Sequence, residues 1–351
     1  MTQQIIDEQF MARCIQIATN GLGTTYPNPF VGSVIVHHNQ IIGEGFTSKY
    51  GGPHAEVNAI NSVKNPELLK ESTLYVTLEP CSHFGKTPPC ADLIISKEIP
   101  RVVIGMLDPF AKVNGQGYLR LLKNGIDVTL NVLQKECTEL NKRFITFHQK
   151  KRPYIILKWA QTEDGYMGRD DIQKWITNQY SKQLVHKWRT EEQGILVGKN
   201  TALIDNPQLN SRLWDGNNPV RMVIDKNLAI PTSFYFYDKT QPTLIFNSLE
   251  HNEEDNLKLI KLDFSERILP QVMDYLYQHD LQSLIVEGGS DTIQYFIDAN
   301  LWDEARILSS DTIWNEGILA PRIRGTRIEK HRFLNDELNI FENRIEIEEE
   351  S

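Results

Sequence analysis

Helical and strand-like patterns of apolar residues alternate along the first half of the chain. Apolar residues recur at the spacing of an amphipathic helix in segments 7–20, 54–63, 91–97, 117–124 and 133–148. Shorter apolar or alternating runs, which are typical of strands, occupy 31–38, 40–46, 72–80, 101–106 and 126–130. The first two strands are predicted to form a hairpin that turns near Asn39. This alternation predicts an α/β layer with some parallel pairing.

A second series of predicted strands follows segment 149–153, QKKRP, where three consecutive cations and a proline indicate a boundary. These strands lie at 194–198, 219–225, 242–247 and 283–289. The chain has 351 residues, which is longer than a single core usually grows, and so should hold about two domains. The sequence therefore predicts two α/β domains, residues 1–148 and 149–351, with an acidic tail after Phe341.

Charge is distributed unevenly between the two halves. Residues 1–150 carry 14 Lys and Arg and 13 Asp and Glu, a net charge of +1, whereas residues 151–351 carry 23 and 33, a net charge of −10. A general nucleic-acid binder would need a basic face, so we expect a small-molecule substrate and no nucleic-acid partner. Without an apolar run of about 18 residues or a signal peptide, we also expect no membrane association and a cytoplasmic location. The sequence is compatible with a homo-oligomer.

One histidine and two cysteines have the pattern of a catalytic zinc site. His54 opens a predicted helix, Cys81 follows a predicted strand, and Cys90 begins the next helix. Catalytic zinc takes three protein ligands and keeps one position open for water. Cysteines near helix N-termini have lowered pKa values, because the helix dipole stabilises the thiolate that binds the metal. The sequence therefore predicts a Zn²⁺ ion held by these three residues.

Glu56 is predicted to be the catalytic acid and base beside the metal and not one of its ligands. It lies in the first turn of the same helix as His54, and H-x-E followed by P-C is the signature of zinc deaminases of nucleobases. Its carboxylate would move the proton of the water to the ring nitrogen and the leaving amine. Alternatively, His83 would complete a four-ligand structural site in a scaffold without catalysis. Cys14 and Cys137 have no ligand-like neighbours and are predicted to be packed core residues.

Longer motifs around these residues resemble a known family. HAEVNAI (54–60), EPCSHFGKTPPC (79–90) and PNPFVGSVIV (27–36) are similar to the cytidine-deaminase-like superfamily. The long insertion between the cysteines resembles the bifunctional deaminase and reductase of riboflavin biosynthesis. This resemblance implies a three-layer α/β/α domain that deaminates ring carbon 2 of a phosphorylated diaminopyrimidinone. It also implies that Asn28, His83 and Lys86 contact that substrate.

The resemblance continues into the second half, at RPYIILKWAQTEDG (152–165), WIT (175–177), ILVGKNTALIDNPQLNSR (195–212) and VEGGSDTI (286–293). It implies a domain similar to dihydrofolate reductase that uses NADPH to reduce the ribosyl group of the deaminated product to ribityl. The implied substrate contacts are Lys158, Gln173, Leu209, Arg212 and Glu287. The implied cofactor contacts are Ala160, Trp175, Thr201, Asp205, Gly289, Ser290, Asp291, Thr292, Ile293, Gln294 and Tyr295.

The chain departs from the family at one position, and the sequence leaves one alternative function to be considered. Gln173 stands where the family usually has a serine, two residues before Trp175, which leaves the activity of the reductase half to be tested. The alternative function is a deaminase that acts on a base in RNA, with the second domain as an RNA binder. Such an enzyme would need a cationic track and stacking aromatic residues, and the acidic second half offers no sign of one.

Overall fold

The chain divides into two units of dense internal contacts, Met1–Lys151 and Arg152–Ser351, in the computed structural model. The structure describes residues 2–82, 88–109, 115–169 and 175–344. The predicted junction after residue 148 lies in the same stretch of chain as this division. No helix among the described residues is long and apolar enough to cross a membrane.

The first unit alternates helices with strands, close to the order that the apolar pattern predicts. Its helices are α1 (Gln3–Ala18), α2 (Ala55–Ser62), α3 (Cys90–Ser96), α4 (Gln116–Lys123), α5 (Gln134–Leu140) and α6 (Lys142–Lys150). Its strands are β1 (Gly32–His37), β2 (Gln40–Phe46), β3 (Thr73–Leu78), β4 (Arg101–Met106) and β5 (Asp127–Thr129). They form one sheet in the order β2-β1-β3-β4-β5, in which β3, β4 and β5 are parallel.

Helices cover both faces of this sheet, as two glycines demonstrate. A Cβ on Gly32 of β1 would lie 1.9 Å from the carbonyl oxygen of Cys14 in α1. A Cβ on Gly45 of β2 would lie 2.3 Å from the backbone nitrogen of Ala59 in α2. Gly45 pairs with Ser33, the neighbour of Gly32, and successive strand residues point to opposite faces. Hence α1 and α2 lie on opposite faces, which gives the predicted α/β/α layers.

The predicted single helix over 133–148 is wrong, because the chain forms two helices, α5 and α6, that meet at Asn141. Asn141 is fully buried and has non-helical backbone angles, φ −104° and ψ 17°. Its side-chain amide accepts a hydrogen bond from the Phe30 backbone nitrogen (2.9 Å) and donates one to the Phe30 carbonyl (3.0 Å). This pairing satisfies a buried backbone segment near the start of β1 and accompanies the break in the helix.

Within the described residues, the second unit has a sheet of ten strands and a separate antiparallel pair of two strands. Its strands are β6 (Tyr154–Gln161), β7 (Tyr166–Gly168), β8 (Gly194–Gly198), β9 (Val220–Ile224), β10 (Thr243–Asn247), β11 (Asn252–Glu254), β12 (Leu257–Lys261), β13 (Ser283–Glu287), β14 (Glu304–Ser309), β15 (Ile318–Leu319), β16 (Thr326–Phe333) and β17 (Asp336–Glu342). Its helices are α7 (Gln179–Glu191), α8 (Lys199–Asp205), α9 (Ile268–Gln278) and α10 (Ser290–Asp298).

The centre of this sheet is parallel and buried on both faces. The strand order is β11-β12-β10-β9-β8-β13-β6-β14-β17-β16, and neighbours from β12 to β14 run parallel. Along β6, Ile155, Leu157 and Trp159 belong to one apolar cluster and Tyr154 and Ile156 to another. Parallel strands with both faces covered place ligands at their carboxyl ends, so a ligand of the second unit is expected at the ends of central strands such as β8 and β13.

Candidate active sites

His54 precedes the first residue of α2 in an extended conformation, φ −72° and ψ 166°. Its side chain makes no capping hydrogen bond to that helix, so the imidazole is available to face the two cysteines. The Nδ1 atom lies 3.7 Å from the Cys81 sulfur and 3.4 Å from the Cys90 sulfur. The ligand atoms of the three residues all lie within 4.8 Å of one another. The structure therefore brings the three predicted zinc-binding residues together.

The start of α3 stabilises a thiolate in this cluster. The backbone nitrogen of Cys90, the first residue of α3, donates a hydrogen bond to the Cys81 sulfur at 3.3 Å. Hydrogen bonding from Cys90, together with the interaction with His54, lowers the pKa of Cys81 to about 4. Hydrogen bonding with Cys81, together with burial, raises the pKa of Cys90. Hydrogen bonding with Cys81 raises the pKa of His54. These contacts thus favour a thiolate at Cys81.

Glu56 is 3% exposed and lies in the first turn of α2. Burial and the charge of the Cys81 thiolate together raise the pKa of this carboxyl to about 7, against the opposing effect of His54. The Cys90 thiol interacts with the carboxyl. Glu56 does not belong to the three-residue ligand cluster. A buried carboxyl beside the cluster, with a pKa near neutrality, can both accept and return a proton.

The donor set matches what a catalytic zinc ion requires. Two sulfurs and one imidazole nitrogen are one of the ligand sets found in zinc sites that keep one position for water. Among the described residues, no fourth Cys, His, Asp or Glu joins the cluster. His83, the alternative fourth ligand, lies outside the described residues, as does Lys86. Asn28 forms a turn before β1, where its backbone nitrogen donates to the Thr25 carbonyl at 2.9 Å.

In the second unit, adjacent parallel strands place two predicted substrate contacts together. Glu287 ends β13 and pairs in register with Lys158 of β6, and the Lys158 Nζ lies 3.8 Å from the carboxylate. Arg189 of α7 adds two contacts to the same carboxylate, at 2.8 Å from Nη2 and 3.3 Å from Nε. Burial alone would raise the pKa of Glu287, but Arg189 and Lys158 outweigh it and lower this pKa to about 2. Burial lowers the pKa of Lys158.

Leu209 and Arg212 lie close to this buried charge cluster. Arg189 donates through Nη1 to the carbonyl of Asn210 at 3.0 Å, and Arg212 donates to the side chain of Asn210 at 2.9 Å. Leu209 is buried with a positive φ of 53°. Segment 209–212 is therefore joined to Glu287 through Arg189. Gln173, the remaining predicted substrate contact, lies outside the described residues.

Glycines allow the ends of β8 and β13 to approach each other closely. Thr201 of α8 accepts a hydrogen bond from the Gly289 backbone nitrogen at 2.9 Å. A Cβ on Gly198 would lie 2.2 Å from the Oγ1 of Thr292, and one on Gly288 would lie 3.2 Å from Val197. In the first turn of α10, the Thr292 and Ile293 N–H groups donate to the Gly289 carbonyl at 3.0 and 3.2 Å, and the positive end of the helix dipole there favours a phosphate. The arrangement thus fits an anionic cofactor.

The other predicted cofactor contacts have varied surroundings. Trp175 is 56% exposed, with the Lys182 Nζ 4.0 Å from its ring centre, and Tyr295 is also exposed. Ile293 belongs to the apolar core, so only its backbone could contact a cofactor. The remaining positions are Ala160 in β6, Asp205 at the end of α8, and Ser290, Asp291 and Gln294 in α10.

Both halves of the chain are similar to proteins of one known family. Residues 4–106 match the model of the cytidine and deoxycytidylate deaminase zinc-binding region, and residues 153–313 match the RibD C-terminal domain. The riboflavin biosynthesis protein RibD of Aquifex aeolicus is 38% identical over 89% of both chains. The RibD of Escherichia coli is 35% identical over 85% of this chain and 86% of its own. The chain belongs to the RibD family.

A solved structure supports the assignment over nearly the whole chain. The diaminohydroxyphosphoribosylaminopyrimidine deaminase/5-amino-6-(5-phosphoribosylamino)uracil reductase of Thermotoga maritima has a TM-score of 0.89 and 35% identity, and the match covers 97% of this chain and 99% of that one. The Acinetobacter baumannii RibD has a TM-score of 0.86 and 28% identity, with the same coverage. The chain is therefore a bifunctional RibD enzyme with a deaminase half and a reductase half.

Membership of the RibD family confirms several predictions from the sequence. It confirms the two-domain α/β fold, the two activities, and Zn²⁺ and NADPH as the cofactors of the two halves. The match of residues 153–313 to the RibD C-terminal domain favours the reductase assignment of the second half over the RNA-binding alternative.

Sequence reasoning missed Arg189 and His186, which lie at the reductase site. His186 is 1% exposed, and neither of its ring nitrogens has a hydrogen-bond partner of good geometry among the described residues. Burial, together with the charges of Arg189 and Arg212, lowers the pKa of His186 to about 4. The pattern of α7 gave one indication of them, because Arg189 and His186 lie on the same buried face as Ser181, Val185 and Trp188. A cation on such a face needs a buried partner.

Proposed function

We propose that the first unit of this RibD-family chain removes the amino group at carbon 2 of 2,5-diamino-6-(5-phosphoribosylamino)pyrimidin-4-one. The observation that carries the proposal is the convergence of His54, Cys81 and Cys90 within 4.8 Å, beside the buried Glu56. The similarity to the diaminohydroxyphosphoribosylaminopyrimidine deaminase of Thermotoga maritima supports this class of substrate. Asn28, His83 and Lys86 would contact the substrate.

In this proposal His54, Cys81 and Cys90 hold the ion, and Glu56 moves the protons. Zn²⁺ bound there acidifies water, which provides a nucleophile near neutral pH. Glu56 takes one proton from the water and delivers it to the ring nitrogen next to carbon 2. It then assists proton transfer to the departing amine, so that one water is consumed and one ammonia is released. The pKa of about 7 suits a group that accepts and returns a proton at neutral pH.

We propose that the second unit reduces the ribosyl group of the deaminated product to ribityl. NADPH supplies the hydride, and its phosphates would lie at the start of α10, near Gly289 and Thr201. The further cofactor contacts would come from Ala160, Trp175, Asp205 and residues 290–295. Lys158, Gln173, Leu209, Arg212 and Glu287 would bind the phosphorylated substrate. The partner of the enzyme is thus a small molecule, and four free cysteines support a reducing, cytoplasmic setting.

One assay tests both halves of the proposal. The phosphorylated diaminopyrimidinone is supplied with and without NADPH, while ammonia, NADPH absorbance and the pyrimidine products are followed. Without NADPH, we expect one ammonia per substrate and accumulation of the deaminated ribosyl intermediate. With NADPH, we expect the ribityl product and one NADPH oxidised per turnover. Absence of ammonia would refute the deaminase assignment, and ammonia without NADPH oxidation would refute an active reductase, in which Gln173 replaces the usual serine.

A further inference from the structure

Arg120 of α4 binds two segments of the deaminase half through all three of its guanidinium nitrogens. Its Nε lies 2.6 Å from one oxygen of Asp92, and its Nη2 donates to the other oxygen at 2.8 Å. Its Nη1 donates to the carbonyl oxygen of Ser82 at 3.0 Å. Because a guanidinium is planar and rigid, these three bonds fix the Ser82 carbonyl relative to the Asp92 carboxylate.

The two segments that Arg120 joins are those that carry the cysteines. Ser82 follows Cys81 directly, and Asp92 lies in the first turn of α3, two residues after Cys90. The same segments also contact each other directly, since Ala91 donates its backbone N–H to the Cys81 carbonyl at 3.1 Å. Arg120 therefore closes a second connection between the two segments, from the side of α4.

The helix that carries Arg120 is itself firmly attached next to the site. Glu79, two residues before Cys81, is 4% exposed and accepts backbone hydrogen bonds from Gly117 at 2.8 Å and Tyr118 at 3.1 Å. A Cβ on Gly117 would lie 1.9 Å from the Pro80 carbonyl oxygen, so α4 is in direct contact with the backbone before Cys81. Arg120 consequently extends from a fixed base.

We propose that Arg120 is a positioning residue that sets the spacing between Cys81 and Cys90 and thereby slows the release of zinc. The inference rests on the proposed function of these cysteines as zinc ligands. Groups that orient metal ligands from outside typically change metal affinity by about 10- to 100-fold. Arg120 holds both ligand segments through one rigid group, so its loss should let the two sulfurs move apart.

Arg13 provides a matched control in the same unit. Its guanidinium also binds a carboxylate through two nitrogens, to Glu44 at 2.6 Å and 2.9 Å. Its side chain is 38% exposed, against 39% for Arg120. The third nitrogen of Arg13 binds Gln16, on its own helix, so this ion pair joins no ligand segment. If loss of a surface ion pair were enough to speed zinc release, replacement of either arginine would have the same effect.

The test measures the rate of zinc release from the full-length holoenzyme into an excess of the chromogenic chelator 4-(2-pyridylazo)resorcinol. Arg120→Ala should release zinc about 10- to 100-fold faster than the wild type. Arg120→Lys keeps the charge but cannot bind both segments through a rigid fork, so it should also release zinc faster. Arg13→Ala should keep the wild-type rate.

Wild-type rates in both Arg120 variants, or equal acceleration in Arg13→Ala, would overturn the inference. If Arg120→Ala does not fold, Arg120→Lys and Asp92→Asn decide the question by the same rate. The zinc content of each protein, measured before the chelator is added, distinguishes failure of this inference from failure of the proposed function. A wild-type enzyme without about one zinc per chain, or zinc that persists in His54→Ala, would refute the metal site itself and the inference with it.

Discussion

Glu56 combines three properties that its proposed role requires: burial, proximity to the zinc-binding cluster and a pKa of about 7. The position follows from the H-x-E spacing, which places the carboxyl in the first turn of α2 while His54 remains just outside that helix. Residues separated by two positions do not share a helix face, and the extended conformation of His54 resolves this conflict. Chemistry at this residue can be tested separately from metal binding.

Replacement of Glu56 by Gln should abolish proton transfer without removing a ligand. We expect the variant to retain about one zinc per chain and to lose about 10²- to 10⁴-fold in the rate of deamination. Metal analysis and ammonia release measure the two effects on one preparation. Loss of zinc in this variant would indicate that Glu56 binds the metal, and an unchanged rate would rule out its role in proton transfer.

Glu287 gives the second unit a pH-dependent contribution to stability. Its folded-state pKa of about 2 lies below the ordinary value of 4.5, so the folded state favours the ionised form. This contribution, about 3 kcal/mol, should be complete above about pH 5. It should decline as the pH falls through the ordinary value towards 2, because the unfolded chain takes up the proton first.

Glu287→Gln should therefore destabilise the full-length protein at pH 7 and lose much of this effect near pH 3. Urea titrations at both pH values measure the difference in unfolding free energy. Glu337→Gln is the control in the same unit, since Glu337 pairs with Lys330 at 2.8 Å on the exposed β16–β17 hairpin. An equal and pH-independent loss in both variants would contradict the role of the buried charge cluster.

Among the elements, α4 connects the backbone before Cys81 with the segments that carry both cysteines. Gly117→Ala should push α4 away from Pro80, because the new Cβ would meet a backbone oxygen and no flexible side chain. We expect a loss of about 1–3 kcal/mol in unfolding free energy, seen as a lower Tm. Leu119→Ala, at a 43% exposed position of the same helix, should change Tm little. Equal Tm values in the two variants would exclude a tight contact at Gly117.

The sequence predicts elements well where their signal is local and poorly where it comes from distant residues. The cluster of His54, Cys81 and Cys90 was predictable, because each residue lies near a helix start or a strand end within residues 54–90. The break between α5 and α6 was not, since it accompanies hydrogen bonds between Asn141 and Phe30, 111 residues apart. The same holds for Arg189 and Glu287, which are 98 residues apart. The buried face of α7 indicates that Arg189 needs a partner, but spacing along the chain does not identify which distant residue that partner is.

For the whole molecule, two chemistries in two units should respond independently to loss of the metal. Zinc removal by a chelator should stop ammonia release, because the deaminase half loses its source of nucleophile. NADPH oxidation with the purified deaminated intermediate should continue, since all three proposed zinc ligands lie in the first unit. Both rates are measured on one chelated preparation, and added zinc should restore the first. Loss of both activities on chelation would contradict this independence.

The central claim is a zinc ion with one imidazole ligand, two thiolate ligands and one exchangeable position. Zinc X-ray absorption spectroscopy of the purified enzyme tests it most directly. We expect two sulfurs at about 2.3 Å and one nitrogen at about 2.0–2.1 Å, with one further light-atom ligand whose contribution changes when an inhibitor binds. A shell of four protein ligands that no inhibitor alters, or a shell without sulfur, would contradict it.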